Sequence, residues 1–434
     1  MNDMFRPNTS RPYPSGFGSS PNLPGDDGAP GRNAFAVLDR QAQRSDALFE
    51  RYVPGSSLFA SPRNAFLTHG ASLVMPAVSA SSLAWRAAEF QRNAQREGHS
   101  GLLMGAVPFQ LDAPAHLFSP ARVERAAGVH SMEALPVQRQ DGVDARRGMI
   151  ATPTPRGYEH NVGEAVARIK RGELEKVVMS RALKVDTRID LPALLRTLAC
   201  RNTRGYTYAI DLAGGPANEP GKRRTLIGAS PELLVARHGR LVASHPLAGS
   251  IPRSADPVED ARRAEGLLAS AKDLHEHALV VDAVAAALQP YCRELIVPKA
   301  PSLVSTATMW HLATEVKGDL ADPATTSLEL ALALHPTPAV CGYPTADARN
   351  FINEVEGFDR GFFTGLVGWC DAEGNGEWAV TIRCAVVDDD SATLYAGAGI
   401  VGASDPSLEL AETSAKLRTM LGAMGLEAVL ETLS

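Results

Sequence analysis

The segment YAGAGIVGASDPSLELAETSAK, residues 395–416, constrains this chain more than any other. It predicts a strand over Thr393 to Tyr395, a small-residue turn at Gly397, Gly399 and Gly402, and a helix opened by Asp405 and Pro406. An aspartate at that position accepts the free N–H groups of the first turn, and proline fits the first helical position without losing a bond. On the helix, Glu409, Glu412 and Lys416 are three and four residues apart and share a face, while Leu410, Leu417, Leu421 and Met424 form a second stripe suited to burial. Two carboxylates and an amine are thereby set beside a loop whose backbone a ligand can approach. Taken alone, the same spacing also describes a solvated helix with a Glu412 to Lys416 ion pair. The rest of the chain decides between the two.

With 434 residues, 44% of them hydrophobic, the chain can bury a large core. Its net charge of -6, mixed along the sequence, argues against a nucleic-acid surface and for a small-molecule or protein ligand. The longest apolar run, 278–288, contains Asp282 and is too short to span a bilayer, so no membrane segment is expected. Cysteines 200, 292, 341, 370 and 384 form no CxxC pair, which fits a reducing cytoplasm rather than a disulfide framework or zinc cluster. Residues 1–31 are rich in Pro, Gly, Ser and Asn, with no apolar signal-peptide core, and are expected to be a disordered tail. Residues 32–434 then form a single domain.

The stretch 56–70 predicts a strand, a turn and a strand; 81–96 has helical spacing; 101–111 reads as a buried strand and 119–157 as a surface crossing. A helix over 158–172, with Val162, Ala165, Val166 and Ile169 inward, leads into the strand LEKVVMSRALKV, 174–185. Lys176, Val178 and Ser180 face one side of it, and a lysine on so apolar a strand ordinarily sits at an edge or reaches out to water. Strands follow at 206–212, 224–230, 232–237 and 240–250. Glu232 comes just after the turn at Ser230 and Pro231, and Gly249 and Ser250 are small enough to admit a ligand to the backbone.

Residues 256–288 read as one long helix burying Leu267, Ala271, Leu274, Ala278, Val281, Ala285 and Leu288, with Glu276 on another face beside Asp273 and Val280. His275 and His277 cannot share a helix face, which excludes an HExxH zinc site. Residues 301–320 read as a strand through Trp310 and His311, 328–348 as a helix stopped by Pro336 and Pro338, and 362–370 with 377–387 as two strands around a DAEGNG turn. Arg383, inside the second of these strands, needs an anionic partner. Many strands, few βαβ units and long helices predict an α+β architecture with large antiparallel sheets.

Together, the blocks KVVMSR, GASPELLV, PLAGS, KDLHEH, WHLAT, LHPTPAVCGYP, GLVGWCDAEGNGEW, TIRCAVV and AGAGIVGASDP followed by ETSAK make residues 160–425 resemble the chorismate-utilising enzymes, and among them the isochorismate synthases most closely. Residues 32–159 match only loosely and 1–31 have no counterpart. The resemblance implies an α/β fold with two large, mainly antiparallel sheets as a central core, helices outside and the site in a cleft between them. It makes Lys176 the base that activates water for attack at C2 of chorismate, and Glu232 the acid that protonates the departing C4 hydroxyl. Glu276 and Glu412 match ligands of Mg2+, with Glu409 near the ion through water. Arg383, Lys416 and the Gly397 backbone match the holders of the enolpyruvyl carboxylate, and Gly249 and Ser250 approach the ring carboxylate. Ala339 and Val340 match residues lining the ring, and His311 a site histidine. The protein is expected to act as a monomer on chorismate and to need no nucleic acid or membrane.

That chemistry suits those residue types. An acidic chain must gather cations locally to hold a substrate with two carboxylates, and magnesium prefers the oxygen ligands that glutamates supply. A lysine acting as base must give up its proton, which burial and a nearby ion favour, whereas an acidic Glu232 needs burial to keep one. The nearest rival is salicylate synthase, which goes on to eliminate pyruvate; the LHPTPAVCGYP and WCDAEGNGEW blocks favour the mutase. A non-catalytic chorismate-binding protein would keep the carboxylate clamps without requiring the acid and base. A nucleotide-binding reading of AGAGIVG has no βαβ unit to support it.

Overall fold

The computed structural model describes residues 45–129, 148–215 and 222–426. The tail expected over 1–31 lies outside the described residues, all of which belong to one compact unit beginning at Gln43.

Alternating apolar residues give this chain its strands, and among the described residues hydrogen bonding runs continuously through 17 of them, the expected large antiparallel sheet work. A separate three-stranded sheet holds Leu247–Pro252, Met309–Ala313 and Ser302–Ser305, with the second of these in the middle. The strand Lys176–Val185 runs antiparallel to Ala392–Ile400 on one side and to Met149–Thr152 and Gly342–Tyr343 on the other. Its odd-numbered residues Val177 and Met179 enter an apolar cluster with Tyr158 and Val162 of the helix Pro155–Lys170, so Lys176 and Val178 face the opposite way. The helix Pro406–Ala423 begins where expected, with the Asp405 carboxylate accepting the N–H groups of Ser407 and Leu408. Among the described residues no helix is long and apolar enough to cross a membrane.

Several local expectations are corrected. Gly397 and Gly399 lie inside the strand Ala392–Ile400, opposite Ser180 and Val178, not in a turn. Glycine is needed there for space: a Cβ on Gly399 would overlap Glu276 Oε1, and one on Gly397 would lie 2.6 Å from Ser180 Oγ. The long helix is two, Pro257–Ala269 and Ala271–Leu288, broken at Ser270, whose side chain accepts the Asp273 N–H as cap of the second. That second helix buries Glu276, His277, Val280, Val281, Val284 and Leu288, while Ala278 is exposed. A purely apolar stripe misjudged this face because its polar members have partners: His277 bonds the Ala248 carbonyl and Thr314, and Glu276 pairs with Lys176.

Residues 301–320 fold as three strands, Ser302–Ser305, Met309–Ala313 and Val316–Leu320. The helix expected over 328–348 is Ser327–Leu334, and a second helix, Thr345–Val355, follows the prolines. The stretch 377–387 is Gly376–Val380 and Cys384–Asp388, interrupted by Arg383 at a φ of 50°. The supposed surface crossing from 119 includes most of the strand His116–Ala127, where Pro120 sits at a register shift that excuses its missing N–H.

Candidate active site

A cleft of about 760 Å³, its solvent-filled mouth included, opens between the strands that carry Val178 and Gly397, the links between strands that carry Glu232 and Arg383, and the helices that carry Glu276 and Glu412. Gly249, Ser250, His311, Ala339, Val340 and Lys416 line it too. Of the residues singled out from the sequence, only Lys176 and Glu409 are not on its wall, and both touch residues that are.

Lys176 is fully buried, with its Nζ 2.9 Å from Glu276 Oε1. The edge or water-reaching placement expected for a strand lysine is therefore overturned. The strand is flanked on both sides, and Glu276 supplies the counter-charge that burial demands. The contact is a pairing of charges without a well-directed hydrogen bond.

Glu232 is 3% exposed and accepts the Leu247 N–H at 3.4 Å. Burial pushes its carboxyl up to about 7, against the pull of that bond and of the charges on Lys176, Arg383 and Lys416. Burial lowers Arg383 to about 10, with Glu412 and Glu232 opposing, so it stays cationic at neutrality. Its Nη2 has no hydrogen-bond partner, and the carboxylates reach it only through charge. The anionic partner expected for it is thus present only as the neighbouring charges of Glu412 and Glu232, with no hydrogen bond to Nη2. His311, also without a partner on Nε2, is driven well below its usual range by burial and by the charges of Arg383 and Lys416, and is neutral.

On the helix Pro406–Ala423, Glu412 Oε1 lies 2.6 Å from Lys416 Nζ and accepts the Ser250 hydroxyl at 3.0 Å. Burial works to raise the Glu412 carboxyl, but Lys416 and these bonds outweigh it and hold it below its ordinary value. Lys416 also donates to the Gly397 carbonyl at 2.8 Å. Glu409, 2% exposed, pairs with Lys272 at 2.9 Å and is raised by burial and by the neighbouring Glu412 charge.

Each of the three candidate metal ligands is therefore held by its own lysine: Glu276 by Lys176, Glu409 by Lys272 and Glu412 by Lys416. Among the described residues, no three acidic, histidine or cysteine side chains are gathered tightly enough to chelate an ion in this arrangement. The donor chemistry still fits magnesium, because the cleft presents the carboxylates of Glu276, Glu412 and Asp273 and no thiolate.

Sequence reasoning assigned no role to Lys272, Asp273, Phe363, Thr364 or Tyr395, all in the wall. Lys272 and Asp273 are four and three residues before Glu276 in the KDLHEH block, so helical spacing alone puts them near its face. The Phe363 and Tyr395 rings stack at 5.0 Å, a long-range contact with no local signal.

Antiparallel sheets around an acid- and lysine-lined cleft define the class. The model of the family described as chorismate binding enzyme matches residues 114–425, and the chain belongs to that family. It is 50% identical over 393 residues to the isochorismate synthase DhbC of Bacillus subtilis (strain 168), covering 89% of this chain and 98% of that protein. It is 44% identical to the vibriobactin-specific isochorismate synthase of Vibrio cholerae over 85% of this chain and 91% of the relative. A crystal structure assigned as the 2,3-dihydroxybenzoate-specific isochorismate synthase DhbC of Bacillus anthracis superposes with a TM-score of 0.81 at 47% identity, over 88% of this chain and 100% of that one.

Proposed function

We propose that this chain is an isochorismate synthase, an isomerase that converts chorismate to isochorismate with magnesium bound at Glu276 and Glu412 and Glu409 nearby. The observation that carries the reading is a buried carboxyl, Glu232, poised near neutrality in the same cleft as a guanidinium, Arg383, whose Nη2 has no hydrogen-bond partner. The first is what a general acid at neutral pH requires, and the second is a waiting partner for a substrate carboxylate.

In this reading Arg383 and Lys416 take the enolpyruvyl carboxylate, with Gly397 giving the backbone room. Gly249, at a φ of 77°, and Ser250 let the ring carboxylate come close. Ala339 and Val340 cover the ring. Lys176, in its neutral amine form, accepts the proton of a water that adds at C2, and Glu232 delivers a proton to the C4 hydroxyl, which departs as water. The atoms balance, since one water enters and one leaves. A bound magnesium ion would neutralise the ring carboxylate and draw electron density from the ring. His311, neutral and buried, offers a hydrogen bond without adding charge.

Similarity to DhbC and to the vibriobactin-specific enzyme supports a place in catechol siderophore synthesis, with menaquinone synthesis as the other use of the product. Incubation with chorismate and Mg2+, with products separated by chromatography, tests the function. Isochorismate alone is the expected product. Salicylate with pyruvate would identify the salicylate synthase reaction instead, and unchanged chorismate would leave a binding protein.

A further inference from the structure

Lys272 has no part in the chemistry above, yet it lines the cleft with its Nζ 2.9 Å from Glu409 Oε1. Glu409 and Glu412 are buried near enough to feel each other's charge, and two such carboxylates need cations. Lys416 is already committed to Glu412 and the Gly397 carbonyl, and Lys176 to Glu276. Among the described residues Lys272 is the cation recorded in contact with Glu409, and its charge also interacts with Glu276 and Glu412. It differs from the other two in freedom. The Lys176 side chain is 0% exposed and that of Lys416 12%, whereas 34% of Lys272 is exposed, so a rotation of its long stem carries the ammonium into water.

We propose that Lys272 is a placeholder cation, which neutralises Glu409 and shields Glu412 in the metal-free protein and swings into solvent when a divalent ion takes their place as neighbour. The proposal rests on the reading of this site as a magnesium site. It makes Lys272 a competitor of the ion: the stronger its hold on Glu409, the weaker the metal affinity. A lysine that merely oriented Glu409 for the ion would have the opposite effect.

The test titrates Mn2+ into wild type, Lys272→Gln and Lys272→Arg, alone and with chorismate present, with free ion counted by electron paramagnetic resonance. Melting temperatures with and without the ion are recorded alongside. Lys272→Gln is expected to bind about two- to fivefold tighter, the scale of one partly exposed ion pair, and to gain more in melting temperature from the ion than wild type does. Lys272→Arg, whose guanidinium grips a carboxylate with two bonds, is expected to bind more weakly than wild type. Unchanged or weaker binding by the glutamine variant, or tighter binding by the arginine variant, overturns the proposal and leaves the metal site standing. No binding by wild type in either condition removes the metal site and the proposal with it.

Discussion

At the scale of single residues, Lys176 and Glu232 carry the proposed chemistry, although each has an unremarkable reading in isolation. Lys176→Met keeps the strand and the carboxylate clamps but removes the proton acceptor. Turnover is expected to fall by roughly two to four decades with chorismate still bound, as steady-state kinetics and a binding titration would show. Near-normal turnover would return Lys176 to a purely structural part. Because Glu232 must carry a proton to act as acid and burial raises it to about 7, kcat/KM should decline as pH rises through about 7. Stability follows the same sign: the raised carboxyl contributes fully below its unfolded value of 4.5, and that contribution is lost as pH rises through about 7. A kcat/KM that stays level to pH 9 would remove Glu232 as the acid. For Arg383→Ala and Lys416→Ala, the expectation is a raised KM for chorismate, since each removes one of the two cations that hold the enolpyruvyl carboxylate. What the sequence showed of these residues was their type and the blocks around them. Burial of Lys176 and the missing partner of Arg383 come from contacts between segments far apart in the chain, which no local pattern encodes.

At the scale of elements, the strand Ala392–Ile400 and the helix Ala271–Leu288 meet where Gly399 leaves room for Glu276. Gly399→Ala would push Glu276 off Lys176, and we expect loss of turnover with the circular dichroism spectrum unchanged; wild-type turnover would show that the close approach is not needed. The helix carrying Glu412 begins at an aspartate cap, and Asp405→Ala should cost about 1 kcal/mol in urea unfolding. The cap and its proline were legible because their signals are local. The glycines were not, since a glycine chosen for a turn and one chosen for a neighbour's carboxylate look alike in sequence. The break at Ser270 was missed for a similar reason: apolar spacing continues through it, and the two helices are separated by the extended backbone of Ser270 and its cap hydrogen bond from Asp273.

At the scale of the molecule, a protein of net charge -6 gathers Lys176, Lys272, Arg383 and Lys416 about one cleft, and in the proposed reading Arg383 and Lys416 meet the substrate's carboxylate. The fold class and the family were legible because nine motif blocks occur in order; the pairing of Lys176–Val185 with Ala392–Ile400 was not, because strands so distant in sequence carry no mutual periodicity. In the proposed reading, turnover requires a divalent ion. Excess chelator should abolish turnover, Mg2+ should restore it, and Glu276→Gln should weaken both turnover and ion dependence; full activity in chelator would contradict the metal site. The claim that organises everything else is that a base and an acid in this cleft exchange one water for one hydroxyl at different carbons. Turnover of chorismate in H2¹⁸O, with the isochorismate isolated early and examined by mass spectrometry, tests it most directly. The account predicts one ¹⁸O atom in each isochorismate, at the C2 hydroxyl; isochorismate that retains the original, unlabelled oxygen would contradict it.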